Sequence, residues 1–135
     1  MIAIACVDLK NGMLFNHRRQ SSDRVVRQDI LQMLEGRELW MNSYSHGQFQ
    51  NDEGNFVVDE AFIRKAGQCE YCFVETNDLS EVEIEKLILY RWDKIYPADM
   101  NLKVNMEEWT LVEQFEFEGY SHEKITKEVY ERYEK

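Results

Sequence analysis

The chain has 135 residues and a formal net charge of −10. Its hydrophobic share of 44% and aromatic share of 13% are those of a chain that buries a core, which excludes intrinsic disorder. The acidic balance disfavours nucleic acid and anionic membrane surfaces as partners, and no apolar run approaches the ~20 residues that span a bilayer.

The length predicts one domain over residues 1–135. Ile2 to Val7 reads as a first strand. Asp8 to Ser22 is a polar loop turning at Asn11-Gly12. Ser21 or Ser22 can cap a helix that runs to about Glu35, with Asp23 in its first turn. Val26, Ile30, Met33 and Leu34 share one stripe of that helix, and Gly36 is placed to end it.

Glu38 to Asn42 is a second strand, followed by a short helix from Ser43 to Phe49. A polar turn leads to a short strand, Phe56–Val58. Asp59 then caps a helix with Phe62, Ile63 and Ala66 facing inward, closed by Gly67. Tyr71-Cys72-Phe73-Val74 is a continuous apolar run, as in a strand buried on both faces. Ser80-Glu81-Val82-Glu83 reads as a capping box that opens a helix to about Trp92, with Ile84, Leu87, Ile88 and Arg91 on one face.

Lys94 to Met100 reads as a strand whose Pro97 demands an edge or a bulge. Trp109–Phe117 and His122–Tyr130 alternate apolar and polar residues about Gly119, as in a hairpin. Strands separated by helices predict an α/β fold: a mostly parallel central sheet, helices on both faces, and a C-terminal antiparallel hairpin.

Cys6, Cys69 and Cys72 are an odd set with no secretion signal in view, so free thiols and a cytoplasmic setting are expected. Cys69-x-x-Cys72 runs into a strand rather than a helix N-terminus, so it lacks the feature that activates redox pairs. Zinc would need two further ligands, and the histidines at 17, 46 and 122 stand far apart. No metal site is expected. His17-Arg18-Arg19 is the one dense basic cluster, able either to clamp a carboxylate or phosphate or to pair with surface acids. Ser43-Tyr44-Ser45-His46 places hydroxyls beside an imidazole without a nucleophile elbow, and Glu81, Glu83 and Glu85 read as a solvated face.

The order of segments resembles dihydrofolate reductase. Ile2-Ala-Ile-Ala-Cys-Val-Asp8 with Asn11-Gly12-Met13 is similar to that family's first strand and mobile loop. Val58-Asp-Glu-Ala-Phe-Ile-Arg-Lys-Ala-Gly67 and Glu70-Tyr-Cys-Phe-Val74 resemble its V-D-E-A helix and central strand. Lys94-Ile-Tyr96 resembles its K-L-Y strand, and Glu108-Trp109 through Glu131-Arg132 its closing hairpin. The resemblance implies a three-layer αβα domain. It also implies a candidate proton-donating acid, Asp23, near the start of the first helix. An ordinary helix-end acid is the alternative.

Other family features are altered. His17-Arg18-Arg19-Gln20 stands where the resemblance implies a tryptophan and a proline. Ala98 stands near the expected threonine. The cofactor-binding M-G-R-x-T becomes Met41-Asn42-Ser43-Tyr44-Ser45, and the glycine run becomes Glu75-Thr76-Asn77-Asp78. Glycine permits the close backbone approach that a pyrophosphate needs, and two acids repel it. The segment between Phe49 and Phe56 is too short for the family's third strand and its folate-gripping arginine. NADPH is therefore disfavoured.

The stretch Gly12-Met13-x-Phe15-Asn16-His17-Arg18-Arg19-Gln20-Ser21 is also similar to short bacterial proteins called ribonuclease Z. That nuclease needs an H-x-H-x-D-H metal cluster that is not in this sequence. The expected function is a small anionic or heterocyclic ligand, or a protein partner, held by a scaffold without its dinucleotide site. The candidate ligand set is His17, Arg18, Arg19, Tyr44 and Ser45, with Asp23 as the candidate catalytic acid. A divergent NADPH reductase and a non-catalytic interaction protein, for instance a homodimer, are the alternatives.

Overall fold

The structure is a computed structural model that describes residues 1–80 and 82–132; Glu81 of the capping-box pattern and Tyr133 at the chain end lie outside them. In chain order the elements are β1 (Ile2–Val7), β2 (Gly12–Phe15), β3 (Arg18–Arg19), α1 (Arg24–Leu34), β4 (Glu38–Met41), α2 (Ser43–Phe49), β5 (Asn55–Val58), α3 (Phe62–Lys65), β6 (Tyr71–Phe73), β7 (Lys86–Trp92), β8 (Met100–Asn101), β9 (Trp109–Phe117) and β10 (Ile125–Arg132).

The alternation of β1 decides the layers. Ala3, Ala5 and Val7 join one buried cluster, while Ile2 and Ile4 join another across the sheet. A strand apolar on both faces belongs in the middle of a covered sheet. The sheet runs β5-β4-β6-β1-β7-β10-β9. The pairs β5–β4, β4–β6, β6–β1 and β1–β7 are parallel, and β10 is antiparallel to β7 and β9. This is the expected α/β arrangement, mostly parallel with an antiparallel hairpin at one side.

Helices α1 and α2 cover one face. Val26, Ile30 and Leu34 of α1 are buried against Ile4, Phe73, Ile88 and Tyr90, each such side chain contributing roughly 2 kcal/mol. Asp23 is the N-cap of α1, its carboxylate accepting from the Val25 N–H. Glu35 ends the helix at φ +51, and Gly36 follows at φ +86, where a side chain is disfavoured. The second face is covered by the single turn of α3, by Met13 and Leu14, and by Leu79, Ile84 and Leu102.

Three expected elements differ. The helix predicted over Ser80–Trp92 is strand β7 from Lys86 onward. Leu87, Ile88, Leu89 and Tyr90 are all buried. Such a run fits a strand covered on both faces, and its match to helical spacing was coincidental. Lys94–Met100 is mostly irregular, and only Met100–Asn101 pairs, with β2. Pro97 has no N–H to donate, and the Tyr96 N–H donates to Asp8 Oδ2 at 3.1 Å rather than to a neighbouring strand.

The polar loop after β1 is itself folded. β2 and β3 form a hairpin in which Leu14 faces Arg19 and Phe15 faces Arg18. Its turn residues Asn16 and His17 lie at φ +51 and +63, the backbone that two-residue hairpins favour. Asp8 anchors this unit, accepting from the Lys10 and Gly12 N–H groups, from Gln20 Nε2 and from the Tyr96 N–H. Burial pushes its pKa up, and these donors outweigh that and hold it below the usual carboxylate range.

Candidate functional site

Parallel sheets place ligands beyond the C-terminal ends of their strands. Here those ends carry Asp8, Asn42, Glu75 and Trp92, with the β2–β3 hairpin, the N-terminus of α1 and the β9–β10 turn lying over them.

Asp23 sits at the centre of one cluster. Its side chain is fully buried. Oδ1 accepts from the N–H groups of Val25 and Tyr120, both at 2.9 Å. Oδ2 accepts from the Ser121 N–H at 2.9 Å, from Ser121 Oγ at 3.2 Å and from His122 Nδ1 at 2.7 Å. Burial raises the carboxyl pKa, but His122, Tyr120, Ser121 and Val25 together hold it far below the usual range. The site therefore favours the anion. One turn further along α1, Arg27 pairs with Asp52 at 2.9 Å.

His122 is held on two sides. Its ring stacks on Trp92, 4.5 Å between centroids at 23°. The register that sets Ile125 opposite Trp92 brings the turn to this place. Nε2 lies 2.7 Å from Ser21 Oγ. Gly119 is needed in the turn, because a Cβ there would lie 2.6 Å from Asp23 Oδ2.

A second cluster joins the hairpin to the sheet. Arg19 makes a two-pronged contact with Glu75, Nε to Oε2 at 2.7 Å and Nη2 to Oε1 at 3.1 Å. Gln48 Nε2 donates to the same carboxylate. The Arg19 guanidinium also lies 4.4 Å over the Tyr44 ring, and the Arg19 N–H donates to Tyr44 Oη. Arg19 and Tyr44 thus lie together, and the guanidinium already holds a protein carboxylate.

The other candidates lie apart from these clusters. His17 is in the hairpin turn and Arg18 is exposed beside it. Ser45 turns inward, and its Oγ is buried without a hydrogen-bond partner among the described residues. Arg18 helps to wall a hollow of about 500 Å³ with Phe15, Gln20, Tyr96 and Pro97, into whose neighbourhood Gln20 brings a buried, unpartnered Oε1.

A larger hollow of about 690 Å³ lies beside α3, walled by Glu60, Asp78 and Glu83 with Arg64. Glu60 reaches the start of α2, accepting from the Ser43 N–H at 2.8 Å and from Ser43 Oγ at 3.2 Å. Asn42 caps the same helix from the other side, accepting from the Ser45 N–H at 2.9 Å.

Cys72 is buried, which pushes its thiol up to about 12. Cys69 is exposed, and its pKa is raised by the neighbouring Glu85. Among the described residues no three His, Cys, Asp or Glu side chains are placed to hold one metal ion, and no helix is long and apolar enough to cross a membrane.

Ser21 and His122 were not singled out by the sequence. Ser21 reads as a helix cap, and His122 as a polar position at the start of a strand. No local signal links them, because the partners stand 101 positions apart.

No protein-family model matches the chain, and no curated protein matches it significantly. Solved structures define the class by shape: the chain has a dihydrofolate-reductase-like fold. Dihydrofolate reductase from Enterococcus faecalis, complexed with NADP(H) and RAB-propyl, matches with a TM-score of 0.67 over 98% of this chain and 96% of that one. The two share 9% sequence identity, so the likeness is one of fold alone.

Proposed function

We propose that this chain is a reductase-shaped domain that works without a dinucleotide and binds a small anionic ligand through the β2–β3 hairpin. The single observation that carries this reading is the contact of Glu60 with Ser43. The first amide of α2 lies in the segment that the sequence resemblance assigns to cofactor binding. It already donates to a carboxylate of the chain, which stands where an incoming phosphate would need the same donor. The acidic wall of Glu60, Asp78 and Glu83 supports the same reading.

The exposed guanidinium of Arg18 above the Phe15–Tyr96–Pro97 hollow is the ligand-facing cation, and Arg19 is spent on Glu75. Thermal-shift titrations with NADPH and with benzoate, a planar carboxylate probe, test this. The expected result is no shift with NADPH and a shift with benzoate that Arg18→Ala removes. Micromolar NADPH binding that depends on Arg18 or Arg19 would restore the reductase alternative.

An interaction role is the second reading, and β9 favours it. This strand ends the sheet and exposes Leu111, Val112 and Phe115. Apolar edge strands are templates for pairing. Trp92 and Trp109 are buried and Trp40 is half-buried, so the exposed apolar surface lies on β9.

A further inference from the structure

Ser21, His122 and Asp23 form one continuous hydrogen-bonded chain. Ser21 Oγ is 2.7 Å from His122 Nε2, and His122 Nδ1 is 2.7 Å from Asp23 Oδ2. The chemistry of the atoms gives the chain a direction. A carboxylate only accepts, so Nδ1 of the neutral imidazole carries the proton and donates to Asp23. In that form Nε2 is a lone pair, to which the Ser21 hydroxyl donates. This is the order in which a base activates an alcohol.

The surroundings sharpen the arrangement. Capping α1 needs only the contact between Asp23 and the Val25 N–H. The imidazole is an addition, clamped between the Trp92 ring and the carboxylate. Asp23 is fully buried, His122 nearly so, and Ser21 is partly exposed at the outer end. The buried-to-exposed order matches an orienting acid, a base and a nucleophile.

We infer that Ser21 is a nucleophile for acyl transfer from small carboxylic esters, with His122 as its general base and Asp23 as the residue that positions His122. Oγ attacks the ester carbonyl carbon while its proton passes to Nε2. The carbon–oxygen bond to the leaving group then breaks, and the leaving alkoxide takes that proton and departs as an alcohol. Water attacks the acyl–Ser21 ester, gives a proton to Nε2, and releases the carboxylic acid as Oγ regains its proton. No oxidant, reductant or metal enters the balance.

The N–H groups of Ser22 and Arg24 have no acceptor among the described residues. They stand at the positive end of the α1 dipole. The Arg24 guanidinium lies 4.2 Å over the Tyr120 ring, a flat platform flanking the Asp23 cluster. With a chain of net charge −10, these features select neutral aryl esters over polyanionic ones. The ligand reading above rests on Arg18 and on the contact of Glu60 with Ser43, none of which takes part here, so dinucleotide binding and acylation fail separately.

The test is incubation of the full chain with p-nitrophenyl acetate, following nitrophenolate release and mapping the acetyl group by peptide mass spectrometry. The expected result is a burst equivalent to the protein present, with one acetyl group on Ser21. Ser21→Ala, which removes one partly exposed hydroxyl, abolishes the burst. His122→Gln slows acylation by about 100-fold or more. Asp23→Asn lowers the acylation rate constant with the half-saturating ester concentration unchanged, a split that a purely structural cap would not produce. Cys69→Ala removes the exposed competing thiol and leaves the burst intact. No burst, a burst that survives Ser21→Ala, or an acetyl group on Cys69 or a lysine would overturn the inference.

Discussion

His122 Nδ1 lies 2.7 Å from Asp23 Oδ2 across 99 positions of sequence, tying the turn between the last two strands to the first helix. The contact joins a helix end outside the sheet to the turn between its last two strands. It makes Asp23 a cap, a turn anchor and an imidazole partner at once.

The first prediction concerns acid. The folded pKa of Asp23 is depressed, so the stability it contributes is fully present above the ordinary Asp value of about 4 and is lost as pH falls below it. Asp8 is shifted the same way and adds to the effect. Melting temperature should therefore fall steeply as pH drops below about 4, and Asp23→Asn should flatten that slope. An equally steep slope in the variant would count against the assignment. Asp23→Ala should cost about 3 kcal/mol at neutral pH, from the lost cap and the stranded Tyr120 and Ser121 amides, measured by urea denaturation.

The second concerns the hairpin latch. Glu75 is buried and depends on Arg19 and Gln48. Arg19→Ala should destabilise the chain by about 3 kcal/mol, because it leaves a buried carboxylate without its cation. Adding Glu75→Gln should recover much of that loss, so the double-mutant cycle should show coupling above about 1 kcal/mol. Hydrogen exchange at β2 and β3 should quicken in Arg19→Ala before exchange in β1 does.

The third uses two glycines. A Cβ on Gly119 would press on Asp23 Oδ2 and on Ile125 Cδ1 at 2.7 Å. Gly119→Ala should cost about 2 kcal/mol through overpacking. Gly47 lies inside α2 with nothing near its missing Cβ, so Gly47→Ala should stabilise by about 0.5–1 kcal/mol. Chemical denaturation of both variants checks the opposite signs.

The fourth concerns the sheet edge. Phe115 is 54% exposed on β9. If this strand pairs with a second copy, analytical ultracentrifugation should show a dimer that Phe115→Lys dissociates without lowering the melting temperature. A monomer at all concentrations would remove the homodimer alternative.

The order and type of most elements were legible in the residues. Ile2–Val7, the α1 stripe and the closing hairpin each carry a local signal: an apolar run, helical spacing or alternation. Lys86–Trp92 was misread because a strand buried on both faces is apolar throughout, so helical spacing fits it as well as any other. The β2–β3 hairpin was missed because its strands are only four and two residues long, too short to show an alternation. Of the candidate site, neither the stacking of Arg19 on Tyr44 nor its lock on Glu75 carries a local signal, because the partners lie 25 and 56 positions away.

The sequence alone determined that an acidic, core-forming chain would build a mostly parallel sheet between helices, because burial patterns repeat locally with the period of each element. Only the tertiary structure decided that Ser21, Asp23 and His122 meet, and that Glu75 and Glu60 hold Arg19 and the first amide of α2. These contacts span long stretches of chain. They depend on strand order and register, and neither is written in the neighbours of any one residue.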